Sequence, residues 1–361
     1  MSPGSLDDQN RRGAIKGRGT ASNPAGRFET IELVREADDP EEPARRTVFL
    51  RDTTKSIISR NDSPDVPFDA NINVYRGCEH GCVYCYARPT HEYLGFSAGL
   101  DFESRILVKE RAPELLEHEL SSRRWKPQVL GMSGVTDPYQ PVERKLQLSR
   151  RCLEVLATFR NPVVIVTKNA LVTRDLDHLE RLGEHNAVAV YVSVTTLDAK
   201  LARVLEPRTS HPRRRLEAIR QLSEAGIPVG VLVAPIIPAL NDHEVPGVLE
   251  AAFEAGARHA GYVFLRLPHG VKELFENWLS EHLPDRKDKI LNRIRSSRGG
   301  RLNDPEFRTR MRGTGIFAEQ IRALFEVTAR RLGFESQRPR LDPSSFRHPG
   351  GTQLTFFDEV S

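Results

Sequence analysis

Three cysteines crowd one short segment, Cys78-Glu79-His80-Gly81-Cys82-Val83-Tyr84-Cys85, with C-x3-C-x2-C spacing. Thiolates this close in a reducing compartment serve as metal ligands or redox groups more often than as structural residues. Three soft sulfur donors suit zinc or an iron–sulfur cluster. Zinc needs a fourth ligand to close a tetrahedron, and His80 and His91 are the candidates. A four-iron cluster on three thiolates instead keeps one iron open to a small molecule. Gly77 and Gly81 allow the tight wrapping that turns backbone N–H groups toward sulfide. The fourth cysteine, Cys152, lies in RRCLEVLATF, a helical pattern, and reads as a buried core thiol.

Such a loop needs a scaffold. Apolar runs at 70–75, 128–132, 162–167, 188–194, 229–234 and 261–267 read as strands. Between them, 111–121, 143–158, 174–184, 212–225 and 243–256 read as helices, with spacings such as Leu216, Ile219, Leu222. Strands alternating with helices predict a parallel α/β fold, as an open doubly wound sheet or a full or partial TIM-like barrel. Periodicity does not choose between them, but both place chemistry at the carboxyl ends of the strands. Polar residues gather there: Arg76-Gly77-Cys78, Gly134 to Tyr139, Lys168-Asn169, Thr195-Thr196 and Arg266.

The cysteine motif directly after the first such strand, with Tyr84 before the last cysteine, resembles the signature of the radical SAM superfamily. The segments NVYRGCEHGCVYCYAR, GVTDPYQPVE, VTKNALVTRDLDHL, VSVTTLD, LEPRTSHPRRRLEAI and LVAPIIPALND resemble its spore photoproduct lyase-like branch, often labelled DNA repair photolyase, over about residues 60–270. The resemblance implies a partial (β/α)6 TIM-like barrel, a [4Fe–4S] cluster on Cys78, Cys82 and Cys85, and S-adenosylmethionine (SAM). It implies reductive cleavage of SAM to a 5′-deoxyadenosyl radical, which abstracts a hydrogen atom from a substrate. It places Tyr84 against the adenine and Thr136 and Asp137 at the methionine amino group. Lys168 then faces the methionine carboxylate, and Ser193 and Thr195 share a strand face toward the ribose or carboxylate. Glu206 and Arg208 read as an ion pair near the adenosine or on the surface. One departure stands out. Spore photoproduct lyase returns a hydrogen atom from a cysteine near the end of the second strand, whereas this chain has Gly131-Met132-Ser133-Gly134 there. Spore photoproduct repair is therefore not expected, and nothing singles out Tyr75, Tyr86, Tyr93 or Tyr139 as a relay. The alternative reading is a zinc- or cluster-bearing nucleic-acid-binding protein without turnover.

The 361 residues carry 53 Lys and Arg against 49 Asp and Glu, a net +4. Charge is uneven: Arg286 to Arg312 holds ten basic and three acidic residues. Within it NRIRSSRGGR, with Arg293, Arg295, Arg298 and Arg301, predicts a flexible loop that meets the phosphates of DNA or RNA. No run of ~18 apolar residues is present, which excludes a transmembrane helix. The N-terminal residues lack the apolar core of a secretory signal, and a cytoplasmic location is expected. The expected organisation is an N-terminal arm (1–60, mostly disordered to 26), a barrel (61–275), a basic helical extension (276–335) and a flexible tail (336–361). Short strands are expected in RFETIELVREA and RRTVFLRD. The tail's Gln353, Leu354, Phe356 and Phe357 resemble a bacterial sliding-clamp-binding motif, and a flavodoxin or ferredoxin is the expected reductant.

Overall fold

The computed structural model describes residues 15–24, 26–28 and 46–349. Strands run β1 (Val48–Arg51), β2 (Ile58–Arg60), β3 (Ala70–Ile72), β4 (Tyr75–Arg76), β5 (Arg105–Val108), β6 (Leu130–Met132), β7 (Val163–Thr167), β8 (Val188–Ser193), β9 (Val229–Ile236) and β10 (His259–Phe264). Helices run α1 (Leu100–Ser104), α2 (Ala112–Ser121), α3 (Glu143–Leu146), α4 (Leu148–Phe159), α5 (Leu176–Gly183), α6 (Ala199–Leu205), α7 (Pro212–Glu224), α8 (Val245–Glu254), α9 (Val271–His282), α10 (Lys287–Ser296), α11 (Thr309–Arg312) and α12 (Gly315–Leu332).

β-Branched and small apolar residues fill β7, β8 and β9, and most are buried, as a sheet covered by helices requires. The sheet order is β10-β9-β8-β7-β6-β3-β2. From β3 to β10 the pairings are parallel, and only the edge strand β2 is antiparallel. Six parallel strands with intervening helices make the partial barrel, and periodicity alone could not have separated it from a doubly wound sheet. Its main core lies between the sheet and the apolar faces of α2, α4, α5, α7 and α8. A second core joins α9 and α10 to the cysteine loop through Val83, Tyr84, Leu205 and Trp278.

Several expectations change. The run 70–75 is two strands, because β4 leaves the main sheet to pair with β5 in a three-stranded sheet ordered β1-β5-β4. The helix expected over 143–158 divides at Gln147, whose φ of 52° ends α3 and begins α4. The N-terminal arm is not uniformly loose: residues 18–24 cross the cysteine loop at Gly19 and run along α1, with Gly19 and Thr20 buried. The basic loop is also corrected. Arg293 and Arg295 belong to α10. Arg298 is 3% exposed and donates to the carbonyls of Leu265, Thr309 and Arg310, so it fastens the extension to β10 instead of facing a polyanion. Residues 29–37 of the first expected strand and the motif at 353–357 lie outside the described residues. No helix among the described residues is long and apolar enough to cross a membrane.

Candidate active site

The cysteine loop leaves β4 at the carboxyl end of the barrel. Gly77, at φ 83°, lets the chain pass under Phe102, whose carbonyl accepts from Cys78 N–H at 2.9 Å. A Cβ at Gly77 would stand 2.9 Å from both that carbonyl and the His91 ring. The loop is then tied on three sides. Glu79 N–H donates to Gln140 Oε1 (2.8 Å), Val83 N–H to Leu205 O (3.2 Å) and Cys85 N–H to Cys82 O (3.2 Å). Arg88, fully buried, places Nε and Nη2 on Cys82 O at 2.9 and 2.8 Å, and its charge is met by Glu103 at 2.6 Å.

Cys78 and Cys82 are buried and Cys85 is half-buried, all as free thiols. Burial pushes the three thiols up, so without a metal they are neutral at physiological pH. A ligand set like this becomes thiolate when a cationic centre binds. Among the described residues no three His, Cys, Asp or Glu side chains converge to hold a metal ion. The proposed fourth zinc ligands are also engaged elsewhere. His80 sets Nδ1 3.4 Å from Asp137 and Nε2 3.2 Å from Asn169. His91 places Nε2 on Arg105 O at 2.8 Å among Phe96 and Phe102. Neither histidine is placed to complete a zinc tetrahedron; three soft thiols on a glycine-hinged loop suit an iron–sulfur cluster.

The strand ends beside the loop form one bonded network. Thr136 donates to Gly77 O at 2.6 Å and so braces the loop. Asp137 accepts from Thr167 Oγ1 (2.7 Å), Lys168 N–H (2.8 Å) and Tyr139 N–H (2.8 Å). Burial pushes its carboxyl up, but His80 and these donors outweigh burial and hold it below the usual range. Lys168 Nζ donates to Thr195 Oγ1 (3.0 Å) and Ala234 O (2.7 Å), lies 3.6 Å from Glu206 and sits over the Tyr84 ring. The Tyr84 hydroxyl donates to Glu206, and Thr195 also reaches that carboxylate. Burial opposes the Glu206 charge, yet Arg215 and Lys168 prevail and hold it at about 2. Ser193, buried at the end of β8, offers its carbonyl to Arg215 at 3.0 Å.

Glu206 pairs with Arg215, one turn into α7, and not with Arg208 as the sequence suggested. Arg208 reaches Glu79 at 3.1 Å, across the cysteine loop. Arg88, Glu103, Gln140 and Arg215 were missed. Gln140, Arg88 and Arg215 lay within the segments GVTDPYQPVE, NVYRGCEHGCVYCYAR and LEPRTSHPRRRLEAI, but nothing local told the two fully buried arginines from solvated ones. Tyr86 donates to Gly134 O at 2.7 Å beneath the Arg266 guanidinium. Tyr75 donates to Glu143, and Tyr93 is 71% exposed.

The radical SAM superfamily model matches residues 72–252, half of the chain, which includes the cysteine loop and β6 to β9. An uncharacterized protein of Mycobacterium tuberculosis is 34% identical over 250 residues, 68% of this chain and 72% of that one. An uncharacterized protein of Methanocaldococcus jannaschii is 31% identical over 173 residues, 48% and 62% respectively. In fold, the chain is similar to spore photoproduct lyase complexed with dinucleoside spore photoproduct, with a TM-score of 0.56 and 18% identity over 83% of this chain and 84% of that one. A mutant of that lyase with bound AdoMet and dinucleoside spore photoproduct also gives 0.56 at 18% identity, over 79% and 78%. Half the chain under the family model, together with a relative 34% identical over most of its length, makes this chain a member of the radical SAM superfamily.

Proposed function

We propose that Cys78, Cys82 and Cys85 hold the [4Fe–4S] cluster of this radical SAM enzyme and that the network on the neighbouring strand ends holds SAM. The observation that carries the reading is the seat of the loop: three thiols on a glycine-hinged turn, braced by Arg88 and Gln140, beside the carboxyl ends of the parallel strands. When bound, the reduced cluster supplies one electron, and SAM supplies the 5′-deoxyadenosyl group that abstracts a hydrogen atom.

The chain's own residues then divide the work. Asp137 and Thr136 face the methionine amino end, and Asp137 also fixes the Lys168 backbone. Lys168 spends two of its three N–H donors on Thr195 and Ala234 and keeps one for the carboxylate. Tyr84, Thr195 and Ser193 wall the adenosine side. Glu206 and Arg215 are positioning residues that hold Tyr84 and Lys168 in place. The test is iron content after anaerobic reconstitution. Alanine at any one of the three loop cysteines abolishes the cluster, while Cys152→Ala keeps it. Full iron retention in Cys82→Ala contradicts the assignment.

A nucleic-acid substrate is favoured by one observation, the exposed Arg301 beside the half-buried Arg295 in the basic extension. Salt-dependent binding of DNA or RNA, with a slope reduced by about one unit per lost contact, tests it. Spore photoproduct itself is not the proposed substrate, because no cysteine stands at Gly131 to Gly134. A flavodoxin or ferredoxin is the proposed electron donor and the cytoplasm the proposed compartment. Sliding-clamp binding through Gln353, Leu354, Phe356 and Phe357 is tested with a peptide of residues 349–361, which should bind the clamp at about −8 kcal/mol.

A further inference from the structure

The cysteine loop has a second restraint, supplied from far away in sequence. Residues 18–23 run across it and along α1. Gly19 lies so close to the loop that a Cβ there would stand 1.6 Å from Gly81 O, so the crossing admits glycine alone. The strap is anchored by Glu103, which is fully buried in α1. Its Oε2 accepts from Gly19 N–H at 2.9 Å and its Oε1 from Thr20 Oγ1 at 2.9 Å. The same Oε1 accepts from Arg88, the residue that holds Cys82 O. Further along, Ser22 O accepts from Leu100 N–H at 3.1 Å, and Asn23 Oδ1 accepts from Asp101 N–H at 3.0 Å. One carboxylate therefore joins the N-terminal strap, the guanidinium and the backbone of the central cysteine.

Two physical consequences follow. A strap held by buried hydrogen bonds excludes water from the loop backbone and resists its opening. The Glu103 carboxylate also cancels the buried Arg88 charge next to the cysteines, and without it an uncompensated cation would remain there. A positive charge near an iron–sulfur cluster favours the electron-rich form, since cluster potentials follow local charge, hydrogen bonding and solvent exposure.

We propose that residues 18–23 form a strap that closes the cluster loop from outside, and that Glu103 is a positioning residue that couples this strap, through Arg88, to the retention and potential of the cluster. The proposal rests on the assignment of Cys78, Cys82 and Cys85 to the cluster. It therefore needs one readout that uses iron and one that does not.

The iron-free readout is amide hydrogen exchange over residues 78–85 in the metal-free protein. Gly19→Ala drives the strap off Gly81 and should raise that exchange at least roughly tenfold; Thr20→Val, which removes one hydrogen bond, should raise it roughly fivefold. The iron readouts are release to a chelator and the midpoint potential of the reconstituted cluster. Both strap variants should release iron faster by similar factors. Glu103→Gln keeps the side-chain shape but removes its charge, and should move the potential to a less negative value. Thr20→Val keeps Gly19 and serves as the test if Gly19→Ala fails to fold. Wild-type exchange over 78–85 in Thr20→Val overturns the strap, and a wild-type potential in Glu103→Gln overturns the coupling. If wild type takes up no iron, the cysteine assignment fails, while the exchange result still decides whether the strap closes the loop.

Discussion

The two ends of the parallel sheet are built in opposite ways. At the amino ends of β8 to β10 a cleft of about 340 Å³ opens between Asn186, Pro228, His259 and the segment from Glu335 to Leu341. Its ionisable groups are loosely held: His259 reaches Gln337 O at 3.0 Å and stands 3.8 Å from an exposed Glu335. At the carboxyl ends the charged groups are buried and bonded to one another, with Glu206 and Arg215 both fully enclosed. This cleft lies at the end that carries no cysteine loop. Buried charge held at a cost distinguishes the end that carries the cysteine loop.

The sharpest way to break that contrast is Glu206→Ala. It leaves Arg215 buried without its partner and Lys168 without its nearest carboxylate. A loss of about 3–5 kcal/mol in denaturant unfolding is expected. A loss below about 1 kcal/mol would mean that water already compensates these charges.

Next comes Lys168→Met, which keeps the length of the side chain and removes its charge. SAM affinity should fall by about 1–3 kcal/mol, measured calorimetrically on reconstituted protein, with iron content unchanged. Asp137→Ala should weaken SAM by a similar amount. Unchanged affinity in both variants would move the SAM site elsewhere.

Acid stability adds a smaller, graded effect. Burial lowers the His91 imidazole from 6.5 to about 4. Between those values the unfolded chain binds the proton and the folded chain does not. Stability is therefore complete above pH 6.5 and lost as pH falls toward 4, by up to about 1.4 kcal/mol per pH unit. His91→Gln should flatten that slope in urea unfolding followed by circular dichroism. Glu206, held at about 2, contributes stability that is complete above pH 4.5, is lost progressively below it and is gone at about 2. The His91 loss therefore comes first as pH falls, and the Glu206 loss follows it.

The smallest effect belongs to the other end. His259→Ala should cost about 1 kcal/mol or less and leave SAM binding as in wild type. A loss of SAM binding there would erase the distinction between the two ends.

Much of the carboxyl end of the barrel was legible in sequence because its signals are local. The cysteine spacing, the glycines that flank it and the polar residues closing each apolar run all depend on neighbours in the chain. Continuous runs such as VVIVT and VAVYVS announced buried parallel strands for the same reason. What stayed hidden was long-range. Glu206 finds Arg215 because the chain turns between α6 and α7 and brings the first turn of α7 back beside it, Arg208 finds Glu79 because its N–H donates to His80 O, and sequence proximity suggested the wrong pair. Composition painted residues 18–24 as disordered, since Gly, Arg, Ser and Asn bury little apolar area. Their order comes from backbone and side-chain hydrogen bonds to Glu103 and Asp101, which composition does not register. The basic block misled in the other direction: a buried arginine such as Arg298 looks like any other until its acceptors are known.

The central claim is that the loop of Cys78, Cys82 and Cys85 and the Asp137–Lys168 network together run radical SAM chemistry. Its most direct test is 5′-deoxyadenosine formation from SAM by anaerobically reconstituted, dithionite-reduced protein. Wild type and Cys152→Ala should both form it. Cys78→Ala, Cys82→Ala and Cys85→Ala should not. Product from any of those three variants at the wild-type rate, or none from iron-replete wild type, would contradict the account.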